Sequence, residues 1–200
     1  MNKTIIVVDI ETTGFLNDGG KIVEIGIVKL NLATGELSPA YNSLVREEGF
    51  GPQHTFGRFG WIFNHSDLSY EEVEAAPSLE EQRAEIQTLF DQYYATAYNK
   101  TFDFEFLRDR GFEIKELPCP MKLATPLCQL PSQRGNKNYK WPTVEEAWTH
   151  FFGEEQRYEE AHRGLDDAEH EARIVYRLFE MGHFKVPFKV EKDDTQLSMF

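Results

Sequence analysis

An apolar run, Ile5-Ile6-Val7-Val8, delivers two carboxylates on alternate residues, Asp9 and Glu11, and then turns through Thr12-Thr13-Gly14. Residues i and i+2 of a strand project from the same face, so Asp9 and Glu11 aim at one spot, at the end of a strand that cannot solvate them. Two anions that close repel unless a cation stands between them. Hard oxygen donors of this kind suit Mg²⁺ or Mn²⁺. Further acids recur downstream. In Tyr98-Asn99-Lys100-Thr101-Phe102-Asp103, the aspartate falls at a helix start directly after a short strand. In His162-Arg163-Gly164-Leu165-Asp166-Asp167, a histidine stands five residues before an aspartate on the last helix.

The elements that must position these residues are readable from periodicity. Strands are predicted over residues 4–10, 21–31 and 36–45, the last two forming a hairpin through Ala33-Thr34-Gly35. Pro39 marks the third strand as an edge. Residues 46–69 are irregular and long for a loop, which often signals function. Ser69, Ser78 and Thr143 open helices, Ser78 with Glu81 as a capping box. A short strand is predicted over 95–98, a helix over 103–110 closed by Gly111, and a fifth strand within 117–123 leading into a short helix. The last long helix spans 164–181. A leading meander followed by alternating units predicts an α/β fold, a mixed sheet with helices on its faces.

Composition narrows the class. The 200 residues suffice for one domain with a substantial core, and 40% hydrophobic content indicates a folded chain. Net charge is −13, which argues against a broad nucleic-acid-binding surface, although bound divalent ions offset charge locally. The two cysteines, Cys119 and Cys128, have no metal-ligand spacing, and no structural disulfide is expected. No stretch reads as a signal peptide or is long enough to span a bilayer, so a cytoplasmic location is expected.

Taken in order, Asp9-x-Glu11-Thr12-x-Gly14, Asn99-x₃-Asp103 and His162-x₄-Asp167 resemble the motif set of the DEDDh exonucleases. This DnaQ-like family includes the proofreading subunits of bacterial replicative polymerases. His65, within Asn64-His65-Ser66-Asp67-Leu68, and the segment Lys122-Leu123-Ala124 are further family-like features. The resemblance covers residues 5–179. Two departures stand out: Tyr98 where the family usually has histidine, and Pro120-Met121 near the fifth strand where Asp-Thr is common.

The resemblance implies an RNase H-like fold with a mixed five-stranded sheet flanked by helices. It also implies two Mg²⁺ or Mn²⁺ ions held by Asp9, Glu11, Asp103 and Asp167, with His162 as base, in hydrolysis that frees nucleoside 5′-monophosphates from a 3′ end. Spacing favours Asp167 over Asp166, which then reads as a first-turn acid. Substrate contacts are implied at Thr12, Thr13, Gly14, Phe15, His65, Asn99 and Phe102, with Phe15 and Leu16 as a wedge beside the terminal base.

Ordinary readings stay open: Asp9 and Glu11 as a strand-end pair, Asp103 as an N-cap, His162 and Phe15 as packing residues. Residues 133–141 mix cations with Tyr139 and Trp141, which suits single-strand binding as well as it suits an exposed loop.

Residues 1–184 are expected to form the exonuclease domain and 185–200 a flexible tail. The tail's Gln196-Leu197-Ser198-Met199-Phe200 is similar to peptides that bind the bacterial sliding clamp. Gln196 would supply amide hydrogen bonds, while Leu197, Met199 and Phe200 fill apolar pockets. The leading expectation is a DNA 3′-to-5′ exonuclease whose partners are nucleic acid with a free 3′ end and the clamp. The rivals are an RNA 3′-trimming exoribonuclease resembling RNase T or oligoribonuclease, a non-catalytic clamp adaptor, and a phosphatase using Asp9 as nucleophile. Glu11 and the His162–Asp167 pair argue against the phosphatase.

Overall fold

The computed structural model describes residues 3–132 and 138–190. Among them, four strands form one sheet: β1 (Thr4–Thr12), β2 (Ile22–Asn31), β3 (Leu37–Leu44) and β4 (Ala95–Thr96), in the order β3-β2-β1-β4. β1 pairs antiparallel with β2 and parallel with β4. β3 is an edge, as Pro39 predicts, and the register slips between Ile27 and Val28 opposite that proline. The predicted fifth strand is reduced to a single bridge between Glu116 and Ala95. Pro118 and Pro120 lack the N–H groups a longer ladder needs. Pro120 instead opens a helix at its first position, where that loss costs nothing. Among the described residues the sheet is therefore four-stranded, not five-stranded.

The helices are α1 (Trp61–His65), α2 (Tyr70–Ala75), α3 (Leu79–Gln92), α4 (Lys100–Asp109), α5 (Pro120–Cys128), α6 (Val144–Phe152) and α7 (Gly164–Glu180). Capping boxes start three of them: Ser69 with Glu72, Ser78 with Glu81, and Thr143 with Glu146. Strand alternation divides the core. Ile5, Val7, Val28 and Leu30 face one cluster with residues of α5, α6 and α7. Ile6, Val8, Ile10, Ile25 and Ile27 face another with residues of α3 and α4. A third, small cluster of Val23, Ile62, Leu68 and Val73 seats the segment that was expected to be loop. That segment is built of short helical turns at Pro52–His54, Gly57–Phe59 and α1. Beyond residue 184, Val186, Phe188 and Val190 pack against the first cluster.

Asp9 and Glu11 share the Ile5/Val7 face, so they look toward α7. Gly26 of β2 lies on that face too. A Cβ there would stand 2.0 Å from the carbonyl carbon of Gly164, so β2 and the start of α7 meet backbone to backbone. Gly26→Ala must push the first turn of α7 off the sheet. A loss of roughly 3 kcal/mol or more is expected, the upper range for overpacking, read as a fall in Tm. A Tm within 1 °C of the parent would refute the contact.

Candidate active site

Three elements deliver four acids to one place: Asp9 and Glu11 from β1, Asp103 from the first turn of α4, and Asp167 from the first turn of α7. Asp103 is buried, and its Oδ1 accepts the Ile10 backbone N–H at 3.4 Å, which ties α4 to the end of β1. It is not an N-cap: Asn99 holds that position. Asp167 is buried, whereas Asp166 is exposed and lies 3.4 Å from His170. Asp167 Oδ2 accepts the Arg163 N–H at 2.9 Å, and Oδ1 accepts the Tyr158 hydroxyl. Ligand atoms of Glu11, His162 and Asp167 lie within 4.8 Å of one another.

The electrostatics report crowding. Asp9 keeps slight exposure as a residue, yet among the described side chains its Oδ2 is the buried polar atom with no hydrogen-bond partner. Burial first, then Glu171, Glu11, Asp103 and Asp167, raise the Asp9 carboxyl well above its ordinary value. Burial followed by Asp167 and Glu24 does the same for Glu11. Burial pushes Asp103 up to about 7, and it raises Asp167 despite the opposing Tyr158 and Arg163 bonds. Ionised oxygens packed this way, one of them sealed and unpartnered, fit a cation. The donor set is carboxylate oxygen, with the His162 imidazole beside it, and it suits Mg²⁺ or Mn²⁺.

Two acids in this cluster were not singled out from the sequence. Glu171 follows Asp167 by four residues, hence on the same face of α7. It is 4% exposed, and its Oε2 accepts the Tyr98 backbone N–H at 3.1 Å. Glu160, just ahead of His162, is pushed up to about 7 by burial and Asp167. The i, i+4 spacing was a signal for Glu171; nothing local pointed to Glu160. Tyr98, the departure from the family pattern, turns its hydroxyl to the carbonyls of Pro142 and Thr143, both at 3.2 Å. It braces α6 instead of entering the site.

Thr12, Thr13, Gly14, Phe15 and Phe102 line one cavity of about 430 Å³, joined by Arg58 and Trp61. Phe15 is 69% exposed and meets Phe102 edge-on at 6.3 Å, so it is no core residue. Thr12 Oγ1 bonds to Gly14 O at 3.0 Å and Thr13 Oγ1 accepts the Lys21 N–H at 3.0 Å, which shapes the turn. His65 stacks on Trp61 at 4.3 Å, and Trp61 in turn presents to His162 at 4.7 Å. His65 therefore reaches the site through Trp61. Asn99 stands exposed, and its side chain makes no capping bond. Gln196, Leu197, Met199 and Phe200 lie outside the described residues, as do Gln133, Arg134 and Lys137 of the cation-aromatic loop.

Residues 6–175 match the RNase_T exonuclease family. The chain belongs to that family. It is 27% identical over 180 residues to DNA polymerase III PolC-type of Thermotoga petrophila, an alignment covering 90% of this chain and 12% of that protein. The PolC-type polymerase of Clostridium perfringens is 25% identical over 173 residues, or 85% and 11% of the two chains. The chain thus spans about one-eighth of the length of these relatives. Among solved structures, the nuclease domain of 3′hExo, a DEDDh family member bound to rAMP, superposes with a TM-score of 0.64 at 17% identity. That match covers 94% of this chain and 98% of the other. E. coli Exonuclease I in complex with a dA16 oligonucleotide gives 0.60 at 13% identity, covering 90% and 41%. The mixed sheet flanked by helices matches the RNase H-like fold of such exonucleases, and the family match makes the domain an exonuclease. Among the described residues, no helix is long and apolar enough to cross a membrane.

Proposed function

We propose that this chain hydrolyses DNA from the 3′ end and releases nucleoside 5′-monophosphates one at a time. The observation that carries this reading is the convergence of Asp9, Glu11, Asp103 and Asp167 around a sealed, unpartnered Asp9 oxygen, with His162 alongside. In this reading Asp9, Glu11 and Asp167 would help hold one divalent ion, and Asp103 would support a second beside Asp9. When bound, the ions offset the charge on the entering and leaving oxygens of an in-line displacement. His162 takes the proton of the attacking water; the phosphorus–O3′ bond breaks, leaving a 3′-hydroxyl on the shortened strand. Phe15 and Phe102 hold the terminal base in the cavity that Thr12, Thr13 and Gly14 floor.

The similarity to PolC-type polymerases favours DNA; the rAMP bound to a structural neighbour favours RNA as the rival. Digestion of matched DNA and RNA oligonucleotides decides between them. DNA is expected to be shortened at least tenfold faster, with mononucleotide products, and faster RNA trimming would overturn the assignment. Residues 196–200 are proposed to bind the sliding clamp, holding the acidic domain near its substrate by raising effective concentration. Deleting those five residues should abolish retention on immobilised clamp while leaving the rate on short free oligonucleotides unchanged. Equal retention would refute the tether.

A further inference from the structure

His162 occupies the left-handed region, with φ +53°, a costly conformation for a residue with a side chain. Something must hold it there. The next residue, Arg163, is the N-cap of α7, and its guanidinium spans two other segments. Nε and Nη2 donate to Glu24 at 3.0 and 2.9 Å, a bidentate pair, and the Gly164 N–H adds a third bond to the same carboxylate at 3.1 Å. Nη1 donates to Asp67 at 2.6 Å. Glu24 is only 2% exposed, and in the sheet it stands directly opposite Glu11. Like charges so placed repel; Arg163 offsets one of them. The two arms differ in weight. The Asp67 arm is exposed and contributes little. The Glu24 arm is bidentate and its carboxylate is buried, so losing the guanidinium leaves a buried charge unpaired.

We propose that the Glu24–Arg163 pair is the positioning device for His162, fixing the left-handed turn from which the imidazole faces the carboxylates. The pair anchors that turn to β2, two residues from the Gly26–Gly164 backbone contact. Asp67 carries the same guanidinium to the segment whose Trp61 packs on the imidazole, so both sides of His162 are tied to one cation. Neither Glu24 nor Arg163 is a catalytic residue in this scheme. They act through His162, and the scheme rests on the reading of His162 as base.

Single-turnover digestion in a double-mutant cycle tests it. Arg163→Gln is expected to lower the cleavage rate about 30-fold, with KM for the oligonucleotide within about 3-fold, as misplacing a base does. In a His162→Ala background the same change is expected to cost under about 2-fold. The neutral pair E24Q/R163Q leaves no buried charge unpaired, and it should reproduce the rate loss with the native circular dichroism spectrum. Equal losses in the two backgrounds, or no loss in the wild-type background, would overturn the proposal while leaving the base assignment intact. A fully active H162A would instead overturn the base assignment, and the positioning role with it.

Discussion

Asp9→Asn is expected to lower the rate of 3′-end digestion by roughly 10³-fold or more, the scale of removing one member of a unit that acts together. The reason lies in where the oxygen sits. Asp9 Oδ2 is closed to solvent, accepts no hydrogen bond, and faces Glu11, Asp103, Asp167 and Glu171. An oxygen so placed has no partner to lose except a cation. Asparagine keeps the shape and removes the charge, and its NH₂ group repels a cation that the carboxylate would hold. The fold should survive, because the substitution relieves repulsion in the metal-free protein. Gel-resolved digestion of an end-labelled oligonucleotide, with circular dichroism as the folding control, reads the effect. Activity within 3-fold of wild type would remove the carboxylate cluster from the chemistry.

The second large effect is on stability, and it runs opposite to the usual acid denaturation. Burial holds Asp103 up at about 7, against an ordinary value near 3.8, and Glu171 is raised well above its own ordinary value by burial and by Asp103. In the metal-free protein these carboxyls keep their protons on folding. Their stabilisation is fully present below the unfolded-state value and is lost as pH rises through the folded one. The metal-free Tm is therefore expected to fall by about 5 °C or more between pH 5 and pH 8. The exposed capping acids Glu72 and Glu81, with lowered values, are already ionised across that range. His54, held neutral by burial, works in the opposite direction, so the comparison is made against a variant. Glu171→Gln keeps an oxygen for the Tyr98 N–H and removes one charge. Its Tm should fall less between pH 5 and pH 8 and exceed that of wild type at pH 8. Saturating Mn²⁺ should raise the wild-type Tm more at pH 8 than at pH 5, since a ligand of the ionised cluster stabilises what it binds. A metal-free Tm that climbs from pH 5 to pH 8, in wild type and Glu171→Gln alike, would defeat this account.

Much of the site was legible because its signals are local. Asp9 and Glu11 share a strand face by alternation, and His162 and Asp167 flank the start of one helix. The capping boxes at Ser78 and Thr143 formed where side chain and backbone meet within one turn. The fifth strand was misjudged for a local reason as well. Its apolar residues suit a strand, but Pro118 and Pro120 deny it a ladder, and Leu117 instead donates to Ala95 O at 2.8 Å as the bridge ends. Thr13 lines the cavity, but its side chain is 1% exposed and its hydroxyl is bound into the turn to Lys21.

By itself the sequence supplied the groups proposed for the chemistry: which oxygens and which imidazole are present, on which elements, and in what order. The elements rest on periodicity, which acts within a few residues, and the choice of site residues rests on the motif order that resembles the DEDDh exonucleases. Only the tertiary structure decided the surroundings. It set Glu171 and Glu160 among the acids, paired Glu24 with Arg163 across 139 positions of chain, and laid Trp61 against His162. Those contacts depend on how the layers stack around Gly26 and Gly164, where two backbones touch because neither residue carries a side chain. Spacing along the chain contains no trace of such a meeting.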